Sequence, residues 1–158
     1  MRVLYLEDDP IDAEALRRAL SRLRPDLDLT IAETPNQARE VLERAGAGMD
    51  FDVLVIDISL PEMNGFEFLD EVDRRGLRQG RRVVVFTSSG HRLDLQAASR
   101  TGVDDYVMKT ADPVCFEELV RALEPASLDA TARQTSEERV PPPPSFAQRL
   151  QVLRPKGR

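Results

Sequence analysis

Short apolar runs alternate along the first 124 residues with longer segments in which apolar positions recur every three or four residues. Four runs cover residues 2–6, 53–56, 82–86 and 106–108, and residues 27–31 alternate apolar and polar side chains. Continuous apolar runs rich in β-branched residues are typical of strands buried on both faces, and the longer period is typical of amphipathic helices. The pattern therefore predicts five strands that alternate with five helices.

Capping residues mark where several of these helices begin. Three helices start at a capping side chain followed by proline: Asp9–Pro10, Thr34–Pro35 and Asp112–Pro113. Asp and Thr satisfy free amide groups there, and proline fits the first helical turn. The third helix opens at Gly65, and the fourth, short and weakly amphipathic, covers about residues 91–100. Helical spacing assigns Ile11 to the inner face of helix 1, Phe66 to the core and Phe68 to the surface.

The alternation of strands and helices also predicts how the strands are arranged. It is typical of a parallel sheet with right-handed crossovers and helices on both faces. Five such units in about 124 residues fit an α/β, flavodoxin-like doubly wound domain with strand order 2-1-3-4-5. In this order strands 1 and 3 are neighbours at the switch point, where open sheets of this kind bind ligands.

Polar side chains stand where these strands end. Glu7 and Asp8 follow strand 1, Asp57 ends strand 3, Thr87 ends strand 4 and Lys109 ends strand 5. Because the carboxyl ends of parallel strands meet at one edge of the sheet, we expect these side chains to converge. Asp57, at the end of a fully apolar central strand, is the predicted chemical centre. The alternative is that it only caps the following loop.

The carboxylates at this edge favour a hard cation. No His or Cys lies near them in sequence, and Mg²⁺ takes one or two carboxylates, a backbone carbonyl and several waters. Asp8 and Asp57 are candidate direct ligands, with Glu7 acting through water. A divalent cation would keep crowded carboxylates ionised. Asp57 is then an ionised nucleophile, and aspartate is a known acceptor of phosphoryl groups.

Lys109 is one of only two lysines, with Lys156, in a chain that has twenty arginines. Because the chain otherwise uses arginine, a lysine at this position indicates that the site needs a compact ammonium charge and not a planar guanidinium. Together with a metal, its ammonium would neutralise the oxygens of a transferring phosphoryl group, to which Thr87 offers a hydroxyl. The alternative is an ordinary surface lysine.

Four short motifs on four strand ends resemble a response-regulator receiver domain of two-component signalling. They are E-D-D-P after strand 1, D-x-x-x-P-x-x-x-G after strand 3, T-S after strand 4 and Y-x-x-K on strand 5, and they cover about residues 1–124. The resemblance implies that Asp57 accepts a phosphoryl group from a histidine kinase or a histidine phosphotransfer protein. It implies a Mg²⁺-dependent phosphoprotein of a phosphorelay, a signalling switch rather than an enzyme.

The resemblance also implies a set of ligands. Asp8 would bind Mg²⁺ together with Asp57 and the backbone carbonyl of Ser59, and Glu7 would complete the acidic pair. Ser59 and Ser89, each two places after a site residue, are small. They are expected to leave the phosphoryl group open to water.

The resemblance further implies a switch and a narrower relationship. Thr87 and Tyr106 would form the switch pair, with Thr87 drawn inward and Tyr106 following, and Lys109 would bind phosphate. Thr110 stands where the family usually has proline after this lysine, so we expect a trans bond. The K-T-x-D-P-x-x-F run from Lys109 resembles single-domain regulators paired with phytochrome-type sensor kinases.

Three other interpretations compete with this one. A flavodoxin-like nucleotide or flavin binder would need a glycine-rich phosphate loop, and neither G-x-G-x-x-G nor G-x-x-x-x-G-K-[ST] follows a strand. A haloacid-dehalogenase-like phosphatase would need a second Asp where Ser59 stands. A degenerate receiver that binds partners without phosphate is disfavoured because the expected acids and Lys109 are all present.

Charge and composition change after Glu124. Residues 1–124 carry a net charge of −9 and residues 125–158 one of +3; the acidic part disfavours a nucleic-acid surface. Residues 125–158 hold six of the eleven prolines and are predicted to be a linker, then a polyproline II run at Pro141–Pro144. A short amphipathic segment, with Phe146, Leu150 and Leu153 as its apolar positions, is predicted to follow.

The same segment carries two expectations about function. No helix-turn-helix pattern is visible in it, so no DNA-binding output domain is expected. Residues 139–158 carry five basic residues and no acidic one, and the Pro141–Pro144 run is stiff. Against an acidic domain this favours a homodimer in which the tail extends a contact across the edge of strand 5 and helix 5. The alternative is a tail that makes no contact.

Cysteine and hydropathy bear on the compartment. Cys115 is the single cysteine, so the chain cannot form an internal disulfide, and this fits a reducing compartment. Its expected role is that of a small apolar residue that fills space in the core. No apolar run approaches the roughly 18 residues of a membrane helix, and no signal peptide is recognisable. The expected location is cytoplasmic, without membrane attachment.

Overall fold

The computed structural model describes residues 1–45, 50–78 and 80–124, and these form five strands and five helices in strict alternation. Their bounds are β1 Arg2–Leu6, α1 Pro10–Leu23, β2 Asp28–Ala32, α2 Pro35–Ala45, β3 Val53–Ile56, α3 Gly65–Arg74, β4 Arg82–Thr87, α4 Arg92–Arg100, β5 Asp105–Met108 and α5 Val114–Leu123. All strand pairs are parallel, and the order is β2-β1-β3-β4-β5. The predicted doubly wound fold is confirmed.

Two apolar layers cover the two faces of the sheet. Side chains alternate between faces along a strand, so Leu54 and Ile56 pack in the layer that holds α2 and α3. Val53 and Val55 pack in the layer that holds α1 and α5. All four residues of β3 are buried, which explains why this strand reads as one continuous apolar run.

Helix caps hold the predicted starts in place. The Asp9 side chain accepts a hydrogen bond from the Ile11 amide at 2.7 Å, with Pro10 in the first turn of α1. Asn64 caps α3 by a reciprocal pair of hydrogen bonds with Glu67. Both caps set the direction in which a helix leaves the edge of the sheet where the site residues lie.

Two residues, one on α1 and one on α3, do not lie on the helix face that helical spacing predicts for them. Ile11 is 76% exposed, because it lies on the far side of α1 from Leu16 and Leu20, which are buried. Phe68 is only 2% exposed, since it precedes Val72 by one helical turn and packs beside it in the core.

The backbone ladder of the sheet continues past the strands into the polar edge. The Asp57 amide donates to the Leu6 carbonyl at 3.1 Å, and the Glu7 amide donates to the Ala32 carbonyl at 3.0 Å. The Lys109 amide likewise donates to the Thr87 backbone carbonyl at 2.8 Å. These side chains therefore start from backbone that the sheet fixes directly.

Some predictions fall on residues outside the described ranges. The linker, the Pro141–Pro144 run, the amphipathic segment and Lys156 all lie within residues 125–158, which the structure does not describe. Among the helices it does describe, none has the length and apolar composition of a membrane span.

Candidate functional site

The carboxyl ends of the strands bring the predicted polar residues to one edge of the sheet. Glu7 and Asp8 follow β1, Asp57 follows β3, Thr87 ends β4 and Lys109 follows β5. Glu7 is 1% exposed, Asp57 5% and Thr87 0%, whereas Asp8 is half-buried. A parallel sheet rarely buries polar side chains without giving them partners, so the contacts of these residues define what the edge can do.

The ammonium of Lys109 is the centre of these contacts. Nζ donates to Asp57 Oδ2 at 2.7 Å, to Asp12 Oδ2 at 2.9 Å and to Glu7 Oε2. Burial of the ammonium would lower its pKa, but hydrogen bonds to the three carboxylates raise the pKa of Lys109 above its ordinary value. Lys109 is therefore a fixed cation inside the site and not an ordinary surface lysine.

Glu7 is held from two sides. The Tyr5 hydroxyl and Lys109 Nζ both donate to its Oε2, and the Asp9 amide donates to Oε1 at 3.2 Å. Burial raises the pKa of Glu7, and the hydrogen bonds from Lys109 and Tyr5 partly offset that rise. Burial and the Glu7 carboxylate together raise the pKa of Tyr5, which keeps its phenol protonated as a donor.

Both oxygens of Asp57 have defined partners. The Ser59 amide donates to Oδ1 at 2.9 Å, and Lys109 donates to Oδ2. The following loop returns to Gly65, whose amide donates to the Ile58 carbonyl at 3.1 Å. The carboxylate is thus oriented by its own loop and by β5, which favours a reacting group over a simple loop cap.

The side chains at this edge can be compared with the ligands that a divalent cation needs. Among the described residues, no group of three or more Asp, Glu, His or Cys side chains is arranged to hold a metal by itself. Mg²⁺ does not need one, since it takes one or two carboxylates and completes its shell with carbonyls and water. Asp8 follows β1 at the same edge of the sheet as Asp57, and its side chain forms no hydrogen bond or ion pair within the described part of the chain, so its oxygens are free to take a ligand. The donor set fits Mg²⁺.

The predicted switch residues meet at Ser89. The Ser89 amide donates to Thr87 Oγ1 at 3.3 Å, and the Tyr106 hydroxyl donates to the Ser89 carbonyl at 2.7 Å. The Ser89 hydroxyl donates to Asp94 in the first turn of α4. Tyr106 is 4% exposed, so this ring already lies inside the protein. Burial, then the Asp94 charge, raises the pKa of Tyr106 to about 12.

Two site residues do not stand out in the sequence, and the contacts of a third, Ser89, go beyond what its small size indicates. Tyr5 reads as core, although it lies two places before Glu7 and therefore on the same face of β1. Asp12 reads as an ordinary first-turn acid, yet α1 begins at the polar edge and directs this carboxylate to Lys109. Ser89 reads from sequence only as a small residue, whereas its contacts join Thr87 to α4.

The loop after β5 has the trans peptide geometry predicted for it. None of the peptide bonds in the described ranges is cis, so the Lys109–Thr110 bond is trans as predicted. The Thr110 hydroxyl donates to the Asp112 carbonyl at 3.1 Å. Cys115 is buried as a free thiol, which matches the expected apolar filler, and His91 is an exposed residue at the start of α4.

A pocket of about 690 Å³ lies at the opposite edge of the sheet. Its lining includes Phe51, Val53, Arg82 and Leu123 and none of the predicted site residues. Open α/β sheets bind nucleotides outside the carboxyl ends of their strands, and this pocket is at the other end. Its position gives no support to the nucleotide or flavin interpretation.

The fold and the site define a receiver domain of two-component response regulators. The chain matches the response regulator receiver domain family over residues 3–124 and belongs to that family. It is 30% identical over 125 residues to the nitrate/nitrite response regulator protein NarL of Escherichia coli, covering 79% of this chain and 54% of NarL. It is 35% identical over 146 residues to the transcriptional regulatory protein CutR of Streptomyces coelicolor, covering 91% and 58%.

Among solved structures, the bacteriophytochrome response regulator AtBRR is similar, with 28% identity and a TM-score of 0.64. The match covers 77% of this chain and 91% of that one. The chain spans little more than half the length of NarL and of CutR, so the activity of those whole proteins does not transfer to it directly.

Proposed function

We propose that the chain is a phosphorylatable signalling switch that accepts a phosphoryl group on Asp57. The observation that carries the proposal is the buried Asp57 carboxylate held by Lys109 Nζ at 2.7 Å at the carboxyl edge of the central strands. The donor is a histidine kinase or a histidine phosphotransfer protein. The chain catalyses only its own phosphoryl transfer and dephosphorylation.

The chemistry follows from the partners of Asp57. An Asp57 oxygen attacks the phosphorus of a phosphohistidine, so that an O–P bond forms while the N–P bond breaks and the imidazole leaves. Lys109 balances charge on the transferring oxygens, and the Ser59 amide keeps the carboxylate oriented. Asp8, Asp57 and the Ser59 carbonyl, with Glu7 through water, would hold Mg²⁺, which would supply further charge neutralisation.

The switch is proposed to run through Ser89. A phosphoryl oxygen attracts the Thr87 hydroxyl, which now accepts from the Ser89 amide. Because Tyr106 and Asp94 also contact Ser89, the change reaches α4 and β5. Tyr106 is already buried, so its expected inward movement becomes a rearrangement of the Ser89 contact and not a further burial. This is a shift between two populated states of one fold.

Intact mass after incubation with acetyl phosphate and Mg²⁺ tests the proposal. The full chain should gain one phosphoryl group that hydroxylamine removes, and EDTA should prevent the gain. Asp57→Asn should abolish it, whereas Asp70→Asn, which removes an exposed carboxylate on α3, should leave it intact. Labelling of the Asp57→Asn protein to the same extent as the original would refute the assignment.

The similarity to AtBRR favours a phytochrome-type sensor kinase as the donor, acting in the cytoplasm. This partner is proposed from the K-T-x-D-P-x-x-F run at Lys109 together with the 28% identity to that regulator. Phosphotransfer from a bacteriophytochrome kinase and from an unrelated histidine kinase should be compared at equal concentrations. Equal transfer rates from both would remove the preference.

Output is proposed to be a protein contact, including a homodimer extended by the basic tail. Residues 1–124 carry a net charge of −9 and residues 125–158 one of +3, so the two parts attract each other at low ionic strength. Light scattering of the full chain and of a chain ending at Glu124 tests this. Equal masses at every salt and protein concentration would exclude assembly by the tail.

A further inference from the structure

Lys109 has a third carboxylate partner that lies outside the predicted site. Its ammonium has three N–H donors, and these meet Asp57 at 2.7 Å, Asp12 at 2.9 Å and Glu7. Every donor is therefore engaged. Any additional oxygen at the site can bind Lys109 only by replacing one of the three carboxylates.

The three carboxylates differ in how easily they can give up Lys109. The side chains of Glu7 and Asp57 are 1% and 6% exposed, whereas that of Asp12 is 44% exposed. A buried carboxylate without its cation suffers a large desolvation penalty, and an exposed one is rehydrated at little cost. Asp12 is therefore the partner that Lys109 can leave.

The contact with Lys109 accounts for the position of Asp12. Within the described residues its carboxylate bonds to Lys109 alone. It stands in the first turn of α1, whose start is fixed by the Asp9 cap, so the helix holds it beside the ammonium.

We propose that Asp12 is a positioning residue that competes with a phosphoryl group on Asp57 for the Lys109 ammonium and so weakens the phosphorylated state. This rests on the proposed function. When Asp57 carries phosphate, the Lys109 N–H that now binds the Asp57 carboxylate binds a phosphoryl oxygen instead. A second N–H reaches the phosphoryl group only when Lys109 leaves Asp12, whose negative charge also repels the incoming anion.

Beryllofluoride, a phosphoryl analogue, tests the competition on the full chain at saturating Mg²⁺. Asp12→Asn should bind it about two- to fivefold more tightly, the range expected for a partly exposed ion pair. Glu14→Gln is the matched control, since it removes one charge from the same helix but, among the described residues, its carboxylate pairs only with Arg17 and Arg18. Glu14→Gln should bind as the original protein does.

A gain in affinity separates this role from a structural one. Asp12 also stabilises the first turn of α1 as a negative charge near the helix N-terminus, and loss of that effect would lower the melting temperature. Damage to the helix would weaken ligand binding or leave it unchanged; it would not tighten it. Thermal unfolding of both variants measures the structural part independently.

The lysine content of the chain provides a direct spectroscopic readout. With ¹⁵N-labelled lysine only two side-chain signals exist, from Lys109 and Lys156, and Lys156→Arg assigns them. Without ligand, Asp12→Asn should shift the Lys109 Nζ signal, and Glu14→Gln should not. An unshifted signal would show that Asp12 does not bind the ammonium and would overturn the inference whether or not the protein is phosphorylated.

The remaining outcomes distinguish the inference from the proposed function. A shifted Lys109 signal with unchanged or weaker beryllofluoride binding in Asp12→Asn overturns the competition but leaves Asp57 as phosphoacceptor. Failure of the original protein to bind beryllofluoride overturns the proposed function and the competition together. Tighter binding in Asp12→Asn alone, with a shifted signal, supports both.

Discussion

Gly65 lies so close to Asp57 that a Cβ on Gly65 would stand 2.4 Å from the Asp57 backbone carbonyl oxygen and 2.8 Å from Ile58 Cα. Both of these atoms belong to backbone, which cannot rotate away as the end of a side chain can. The start of α3 is therefore packed directly against the chain segment that carries the candidate phosphoacceptor.

Gly65→Ala should consequently impair both stability and phosphorylation. Overpacking of this kind costs about 1–3 kcal/mol of unfolding free energy, and the displaced Asp57 should be labelled more slowly by acetyl phosphate. Urea unfolding and intact mass measure the two effects. Gly90→Ala is the control, because its nearest neighbour at 3.0 Å is the flexible end of the Met108 side chain. Equal losses in both variants would contradict the steric argument.

Lys109→Arg should uncouple phosphorylation from the conformational response. The guanidinium keeps the charge, but a planar fork cannot present three diverging donors to Glu7, Asp12 and Asp57. We expect Mg²⁺ binding to persist, since carboxylates provide it, and beryllofluoride to produce weaker amide shifts in α4. Lys156→Arg makes the same substitution elsewhere. A Lys109→Arg protein that matches Lys156→Arg in both measurements would disprove the role of Lys109.

Thr87→Val should leave phosphorylation at Asp57 possible but block its transmission to α4. Valine fills the same buried space without the hydroxyl that accepts from Ser89. Beryllofluoride should then shift the amide signals near Asp57 and leave those of Asp94 in place. Thr101→Val is the matched control, because in the described part of the chain that hydroxyl donates to the Ala97 and Ala98 carbonyls of α4 and not to the site. Persisting Asp94 shifts in the Thr87 variant would count against the route through Ser89.

Neither tyrosine should ionise in the folded protein below about pH 11. The chain has only Tyr5 and Tyr106, and burial raises the pKa of both, that of Tyr106 to about 12. Unfolded tyrosine titrates near pH 10, so the stabilisation is fully present below that pH. Above it, the unfolding free energy should fall by up to about 1.4 kcal/mol per pH unit for each tyrosine.

Tyrosinate absorbance and urea unfolding between pH 9 and pH 12 check this expectation. Tyr106→Phe should remove one of the two tyrosine contributions to the pH dependence while Tyr5 retains the other. Appearance of tyrosinate absorbance at pH 10 in the folded protein would show that at least one ring is open to solvent.

The sheet and its polar edge were accessible from sequence for a physical reason. Strands buried on both faces must be apolar throughout, so β3 and β4 stand out and the polar residue that ends each, such as Asp57, is conspicuous. Strand order follows from the alternation with helices. Residues that carry no such contrast were missed: Tyr5 is apolar enough to read as core, and Asp12 reads as one more acid in a helix.

Most contacts that could not be predicted from the sequence join side chains from distant parts of the chain. Asp12 and Lys109 are 97 positions apart, and their meeting depends on the direction in which α1 leaves the sheet. Tyr106 is buried in the core layer that also holds Ala98 of α4, a placement that the weak amphipathicity of that helix does not predict. Such contacts are set by tertiary geometry, which local periodicity does not encode.

The register of the central strands links acquisition of a phosphate to the integrity of the whole domain. Leu6 pairs with Ile56, which sets Glu7 beside Asp57, and a slip of one residue would turn every core side chain of β3 to the opposite face. No partly folded form with a displaced strand can then present both carboxylates to Lys109. Under the proposed function, only correctly folded molecules would present the phosphoacceptor to a kinase, and misfolded copies would stay unphosphorylated.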